Sequence, residues 1–279
     1  MKHHTFLLDY KDGRKIFFNH WTTEGEKKGT IILVHGLGEH SGRYHHVAEF
    51  FTSKGFEFLA PDTFGHGKTE GPKGYTKSME DYLDLIDFTL EKCGLNDTGL
   101  PNILYGHSMG GLLALMYEQK RRGSFSAMMI TSPALAPGFK VPALKLLAGK
   151  IGKAIMPSLT QPNGLEVRHL SHDQNVINAY LNDPLVHDKL SALVGMGILE
   201  WGEWYQNHAE KIAVPTLIMQ GTEDRITNFK INKEKFSQMD GDIQIVEWPG
   251  YFHELHNEDK KRDVFDKMYE WLSGILNKV

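Results

Sequence analysis

The chain has 279 residues, 41% hydrophobic and 24% charged, and its 28 glycines and 11 prolines exclude a collagen-like or low-complexity chain. A formal net charge of −4 gives no basic footprint for nucleic acid, and one cysteine, Cys93, excludes an intrachain disulfide and a multi-cysteine zinc site. The N-terminal apolar run, Phe6 to Leu8, is too short for a signal-peptide core and no stretch approaches a membrane span, so a cytoplasmic protein is expected.

Short apolar runs alternate with helical patterns along the chain. Ile16 to Phe18 suits an N-terminal antiparallel hairpin. Thr30 to Val34 reads as a buried strand ending at His35-Gly36, and Arg43 to Lys54 as a helix stopped by Gly55. Phe56 to Ala60 is a second strand, closed by Pro61-Asp62. Ser78 to Asp81 fits a capping box before the helical spacing of Tyr82, Leu85, Ile86 and Leu90. Ile103 to Tyr105 is a third strand, with a helix from Leu112 to Arg122 and Gly123 after it. Ala127 to Thr131, Val214 to Gln220 and Ile243 to Val246 are further strands, and Glu258 to Ile275 a last helix. Strands alternating with helices imply a mainly parallel, doubly wound α/β sheet.

The rhythm breaks between Pro137 and Glu210, where no clear strand appears and the chain is too long for a plain loop. This segment is expected to be helical, so residues 1–136 and 211–279 form the core and 137–210 an inserted cap. Within it, Pro142 to Met156 is amphipathic, with Lys145, Lys150 and Lys153 on one side and Leu144, Leu147, Ile151 and Ile155 on the other. Two uses of that apolar face stand open: docking on anionic lipid, or covering a pocket.

Gly106-His107-Ser108-Met109-Gly110 matches G-x-S-x-G between a strand and a helix, the context in which a sharp turn exposes a nucleophilic serine. The helix N-terminus aims free N–H groups at such a serine. A serine needs a base, and the base an orienting acid, in the chain order Ser, Asp or Glu, His. Asp224 follows the strand ending at Gln220, with Glu223 as its neighbouring rival. His253 follows the strand ending at Trp248, with His256 as the rival base. The two oxyanion-binding N–H groups fall on Met109, after the nucleophile, and Leu37, in the loop after the early strand. No metal or organic cofactor is called for.

Other patterns fail on spacing. His253-Glu254-Leu255-His256 is one residue short of H-E-x-x-H, and Gly36 to Gly42 has one residue too many for G-x-G-x-x-G. Asp62, near Gly65-His66-Gly67, precedes Ser108 in the chain and takes a structural loop role; Cys93 reads as a passive helix-end residue.

HGLGEHSGRY (35–44), PDTFGHGKTEGPKGY (61–75), YGHSMGG (105–111), QGTEDRIT (220–227), YFHELHNE (251–258) and the cap stretch SHDQNVINAYLNDPLVH (171–187) resemble the monoglyceride lipase and lysophospholipase group of α/β-hydrolases over nearly the whole chain. The resemblance places the nucleophile on Ser108, the acid on Asp224, the base on His253 rather than His256, and the oxyanion donors on Leu37 and Met109. Phe64 and Lys68-Thr69 depart from the Arg and Arg-Ser that members often carry. The resemblance implies a helical cap with an apolar acyl tunnel, peripheral membrane contact through it, and hydrolysis of monoacyl lipid esters, chiefly monoacylglycerol to fatty acid and glycerol. A lysophospholipase, a general carboxylesterase or thioesterase, or a peptidase would share the triad; a non-catalytic ligand receptor on the same fold is the alternative of another class. No Arg or Lys cluster lies in the elbow or oxyanion loops to pair a phosphate, Arg43 being nearest, which favours a neutral glycerol head.

Overall fold

The computed structural model describes residues 1–96, 98–121 and 125–277. In chain order the elements are β1 (Lys2–Asp9), β2 (Lys15–Thr22), β3 (Gly29–Val34), α1 (His45–Ser53), β4 (Phe56–Pro61), α2 (Glu80–Lys92), β5 (Asn102–His107) and α3 (Met109–Arg121). There follow β6 (Ala127–Thr131), α4 (Ala143–Ile155), β7 (Thr160–Pro162), α5 (Gln174–Asn182), β8 (Lys189–Ser191) and α6 (Ala192–His208). The chain ends through β9 (Thr216–Gly221), α7 (Phe229–Ser237), β10 (Ile243–Trp248) and α8 (Lys261–Leu276). Arg122 and Gly123, expected to close α3, lie outside the described residues.

Eight strands form one sheet in the order β1-β2-β4-β3-β5-β6-β9-β10. The β1–β2 hairpin and the β2–β4 pair are antiparallel, and every pair from β4 to β10 is parallel. This is the mainly parallel, doubly wound sheet the alternation implies. Its central strands are apolar on both faces because helices cover both. Ile32, Val34, Leu104, Met128 and Ile218 pack with side chains of α2 and α3. The alternate residues Ile31, Leu33, Ile103, Tyr105, Met129 and Leu217 pack with α1 and α8. At the start of α2, the Asp81 N–H donates to Ser78 Oγ, and that hydroxyl donates back to the Asp81 carboxylate.

Between β6 and β9 the chain is mostly helical, as the sequence suggests, but β7 and β8 pair there as a short antiparallel ladder. Three-residue strands carry too little periodicity to be seen in a sequence. The amphipathic stretch forms α4, but its orientation was not legible. A Cβ on Gly149 would sit 2.7 Å from Met196 Sδ, and one on Gly152 would sit 3.1 Å from the Ala192 Cβ. The small residues therefore form the seam with α6. Leu144 (77% exposed), Leu147 (55%), Ile151 (51%) and Ile155 (74%) face solvent instead. The expectation that this apolar face covers a pocket is corrected: Leu146 and Gly149, with Lys145, line the cavity beneath. Lys153 is ion-paired with Glu200.

Candidate active site

Ser108 sits between β5 and α3 with φ of 55°, a left-handed conformation that costs a non-glycine residue and gathers at functional sites. The turn needs glycine on both sides because backbone closes on it. A Cβ on Gly106 would lie 2.5 Å from Gly110 O, and one on Gly110 would lie 1.9 Å from Val34 O. The Ser108 N–H donates to Thr131 O at 3.0 Å, and its carbonyl accepts from Leu112 and Ala134 N–H at 3.1 Å each. The side chain is thereby left at the first turn of α3, where helix N–H groups have no intrahelical partner.

Asp224 follows β9 and is buried. Its Oδ1 accepts from the N–H groups of Ile226 (2.8 Å) and Thr227 (3.0 Å). Its Oδ2 accepts from His253 Nδ1 (2.9 Å), Gln220 Nε2 (2.9 Å) and Thr227 Oγ1 (2.7 Å). Burial alone would raise its pKa. The charge and hydrogen bond of His253, with the Thr227 donors, outweigh burial and hold the carboxyl below its usual range. Glu223, the rival acid, is exposed.

His253 lies in the loop after β10 and is buried. Ser132 Oγ donates to its carbonyl at 2.7 Å, and its ring lies 4.9 Å from that of His107. Burial lowers its pKa, but Asp224, then Glu254 and Glu39, outweigh burial and leave it raised. His256 packs elsewhere, stacked on Tyr44 at 4.6 Å and edge-on to His107 at 4.8 Å, with neither ring nitrogen hydrogen-bonded among the described residues. Burial drives its pKa well down. Asp62 holds its own loop, accepting from the N–H groups of Ser41 and Lys68 at 2.8 Å each. Cys93 ends α2, half-buried, its thiol pushed up to about 11 by burial.

Leu37, Ser108 and Met109 line one cavity of about 430 Å³ that continues under α4 and α6 past Leu146, Met196 and Leu199. Among the described residues lining it there is no carboxylate, and the charged ones are Lys140 and Lys145. Among the described residues neither the Leu37 nor the Met109 N–H has a hydrogen-bond partner. The sequence reading missed several supporting residues. Gln220 and Thr227 lie in a stretch already singled out, but their bonds to Asp224 are visible only in the fold. Ser132 carried no signal at all: it directly follows β6 at φ of 48° with its hydroxyl on the His253 carbonyl.

The family model described as serine aminopeptidase, S33, matches residues 25–260. A monoacylglycerol lipase of Mycolicibacterium smegmatis is 32% identical over 95% of this chain and 95% of that protein. An abhydrolase domain-containing protein of Dictyostelium discoideum is 33% identical over 90% of this chain, which spans only 27% of that longer protein. The crystal structure of the Paleococcus ferrophilus monoacylglycerol lipase superposes with a TM-score of 0.85 at 32% identity, covering 99% of this chain and all of that one.

Proposed function

This chain belongs to the monoglyceride lipase group of α/β-hydrolases, within the serine aminopeptidase S33 family, and from that premise we propose that it hydrolyses monoacylglycerol to fatty acid and glycerol through Ser108, His253 and Asp224. The observation that carries the reading is the buried 2.9 Å hydrogen bond between His253 Nδ1 and Asp224, with the His253 ring 4.9 Å from that of His107, the residue before a serine held in a left-handed turn. With Nδ1–H committed to Asp224, Nε2 is the nitrogen left to take the Ser108 proton. Ser108 Oγ attacks the ester carbonyl as His253 takes that proton. The oxyanion is bound by the N–H groups of Leu37 and Met109. His253 then protonates the leaving alcohol, and water repeats the sequence on the acyl-enzyme.

The acyl chain occupies the cavity beneath α4 and α6, and residues 137–210 act as the cap. The absence of carboxylates among the described lining residues argues against an aminopeptidase, which must receive a substrate ammonium group. Arg43 is engaged by Glu39 and Glu254 and is not free to bind a phosphate, which supports the neutral head. One observation favours a lysophospholipid instead: Lys140 and Lys145 line the cavity wall. No helix among the described residues is long and apolar enough to cross a membrane. The exposed leucines and isoleucines of α4 support peripheral docking through the cap.

The test is a panel of monoacylglycerols of rising chain length beside matched lysophospholipids, with Ser108→Ala as the control. kcat/KM should rise by up to about 4-fold per added methylene, from roughly 0.8 kcal/mol each, until the cavity is full. A preference for acetyl or butyryl esters would reject the lipid substrate. Undiminished turnover by folded Ser108→Ala would reject the nucleophile.

A further inference from the structure

Arg43, its side chain 10% exposed, stands where three parts of the site meet. It stands in the turn between β3 and α1. Its Nη1 donates to Glu39 Oε2 at 2.6 Å and to Glu254 Oε1 at 2.7 Å, and its Nη2 donates to Glu254 Oε2 at 2.7 Å. The Tyr180 ring of α5 lies 4.7 Å over the guanidinium. Glu39 shares a loop with Leu37, and its Oε1 accepts from the Gly36 N–H at 2.7 Å and from Tyr44 Oη at 2.8 Å. Glu254 directly follows His253 and also accepts from Asn257 Nδ2 at 2.7 Å.

A guanidinium largely withdrawn from solvent between two buried carboxylates is a costly way to fill space; apolar side chains of similar volume would do it at lower electrostatic cost. Apolar packing could not set the direction of a peptide. Glu39 captures the Gly36 N–H, which leaves the next one, on Leu37, for the cavity. Glu254 is held by both arms of the same guanidinium, and the loop behind His253 is held with it.

We propose that Arg43 is a positioning residue shared by the oxyanion loop and the base. Through Glu39 it fixes the peptide that presents the Leu37 N–H, and through Glu254 it fixes the loop that carries His253. This rests on the triad reading above. The groups facing His253 are Asp224, hydrogen-bonded to it, Glu254 and Glu39, and the His107 ring, with His256 behind His107. Arg43 offsets the two glutamates, so removing its charge should favour the imidazolium.

The experiment measures kcat and KM on a soluble ester from pH 5 to 9 for wild type, Arg43→Lys, Arg43→Gln, Glu39→Gln and Arg43→Gln/Glu254→Gln. Thermal melts and fluorophosphonate labelling of Ser108 run alongside. Arg43→Lys keeps the charge and loses the fork. Its kcat should fall about 10- to 100-fold, the scale of a small misplacement of reacting groups, with KM within about 2-fold and the acid limb unmoved. Glu39→Gln should lose kcat in the same way. Arg43→Gln should also move the acid limb of kcat/KM to higher pH. Adding Glu254→Gln should return the limb toward wild type without restoring kcat. If Arg43→Gln fails to fold, the Lys and Glu39→Gln variants carry the test. Folded Arg43→Lys and Glu39→Gln with wild-type kcat, or with a loss confined to KM, would overturn the proposal alone. Wild type that is not labelled at Ser108 would overturn the triad, and the proposal with it.

Discussion

Asp224→Asn changes one atom, and the hydrogen bonds around that atom set the expected cost. Oδ1 keeps its acceptor role toward the N–H groups of Ile226 and Thr227. At Oδ2, three donors converge: His253 Nδ1, Gln220 Nε2 and Thr227 Oγ1. An amide NH₂ placed there meets donors with donors. Thr227 can turn its hydroxyl, but His253 can answer only by moving its proton to Nε2, the nitrogen proposed to accept from Ser108. kcat should fall by about 10⁴, or roughly 5.4 kcal/mol, as expected for a triad base held in the wrong tautomer. The pH profile gives an independent reading. Asp224 is what raises the His253 pKa against burial, so the wild-type acid limb of kcat/KM should lie above about 6.5. In the variant, burial acts without the carboxylate's charge, and the residual activity should titrate below that pH. The assay is steady-state hydrolysis of a soluble ester from pH 5 to 9, with the exposed Glu223→Gln variant as a control expected at wild-type activity. A loss of less than 10-fold, or an unmoved limb, would refute the role given to Asp224.

His253→Ala should be about as inactive as Ser108→Ala because the two act as a unit, whereas His256→Ala should keep most turnover per folded molecule while losing thermal stability; the reverse ranking would move the base to His256. Anionic vesicles should sediment wild type more than Leu144→Ser/Ile155→Ser by at least 10-fold, since each side chain buried in lipid contributes about 1.5–3 kcal/mol, and Lys145→Glu/Lys150→Glu should also weaken binding; equal recovery of all three would reject docking through α4. Burial pushes His35 and His107 down to about 3, and His66 and His256 well below the usual value. The unfolded chain therefore binds more protons at these histidines than the folded one below about pH 6.5, and Tm should fall as pH drops from 6.5 to 5, before the exposed carboxylates titrate. His253, shifted the other way, changes its contribution only above 6.5, so a flat Tm across that window would contradict the burial of these rings.

The strand–helix rhythm was readable because the central strands are apolar on both faces and each helix ends at a recognisable stop, such as Gly55 after α1. Ser108 was readable because its turn forces glycine at positions 106 and 110. What escaped depends on contacts between residues far apart in the chain. A pattern of leucines and isoleucines shows that α4 has an apolar side, but only the fit of Gly149 and Gly152 against α6 tells which side faces the protein. Arg43 and Glu254 lie more than two hundred positions apart (|i−j| of 211), and no local spacing joins them. Of His253 and His256, it is His253 that meets Asp224, a tertiary contact that no local spacing reveals.

The strand order also fixes when during folding the site can exist. Ser108 hangs on β5, near the middle of the sheet, while His253 follows β10, the edge strand, which among the described residues pairs only with β9. During synthesis or refolding, the elbow can form from neighbouring segments long before the proposed base arrives. Until β10 docks on β9, the chain holds an ordinary serine hydroxyl in a strained turn, without the proposed base, His253. Such non-local parallel pairing is slow relative to helix formation. Recovery of esterase activity after denaturation should therefore lag the return of helical circular dichroism, and the interval between them would time the closing of that last strand pair.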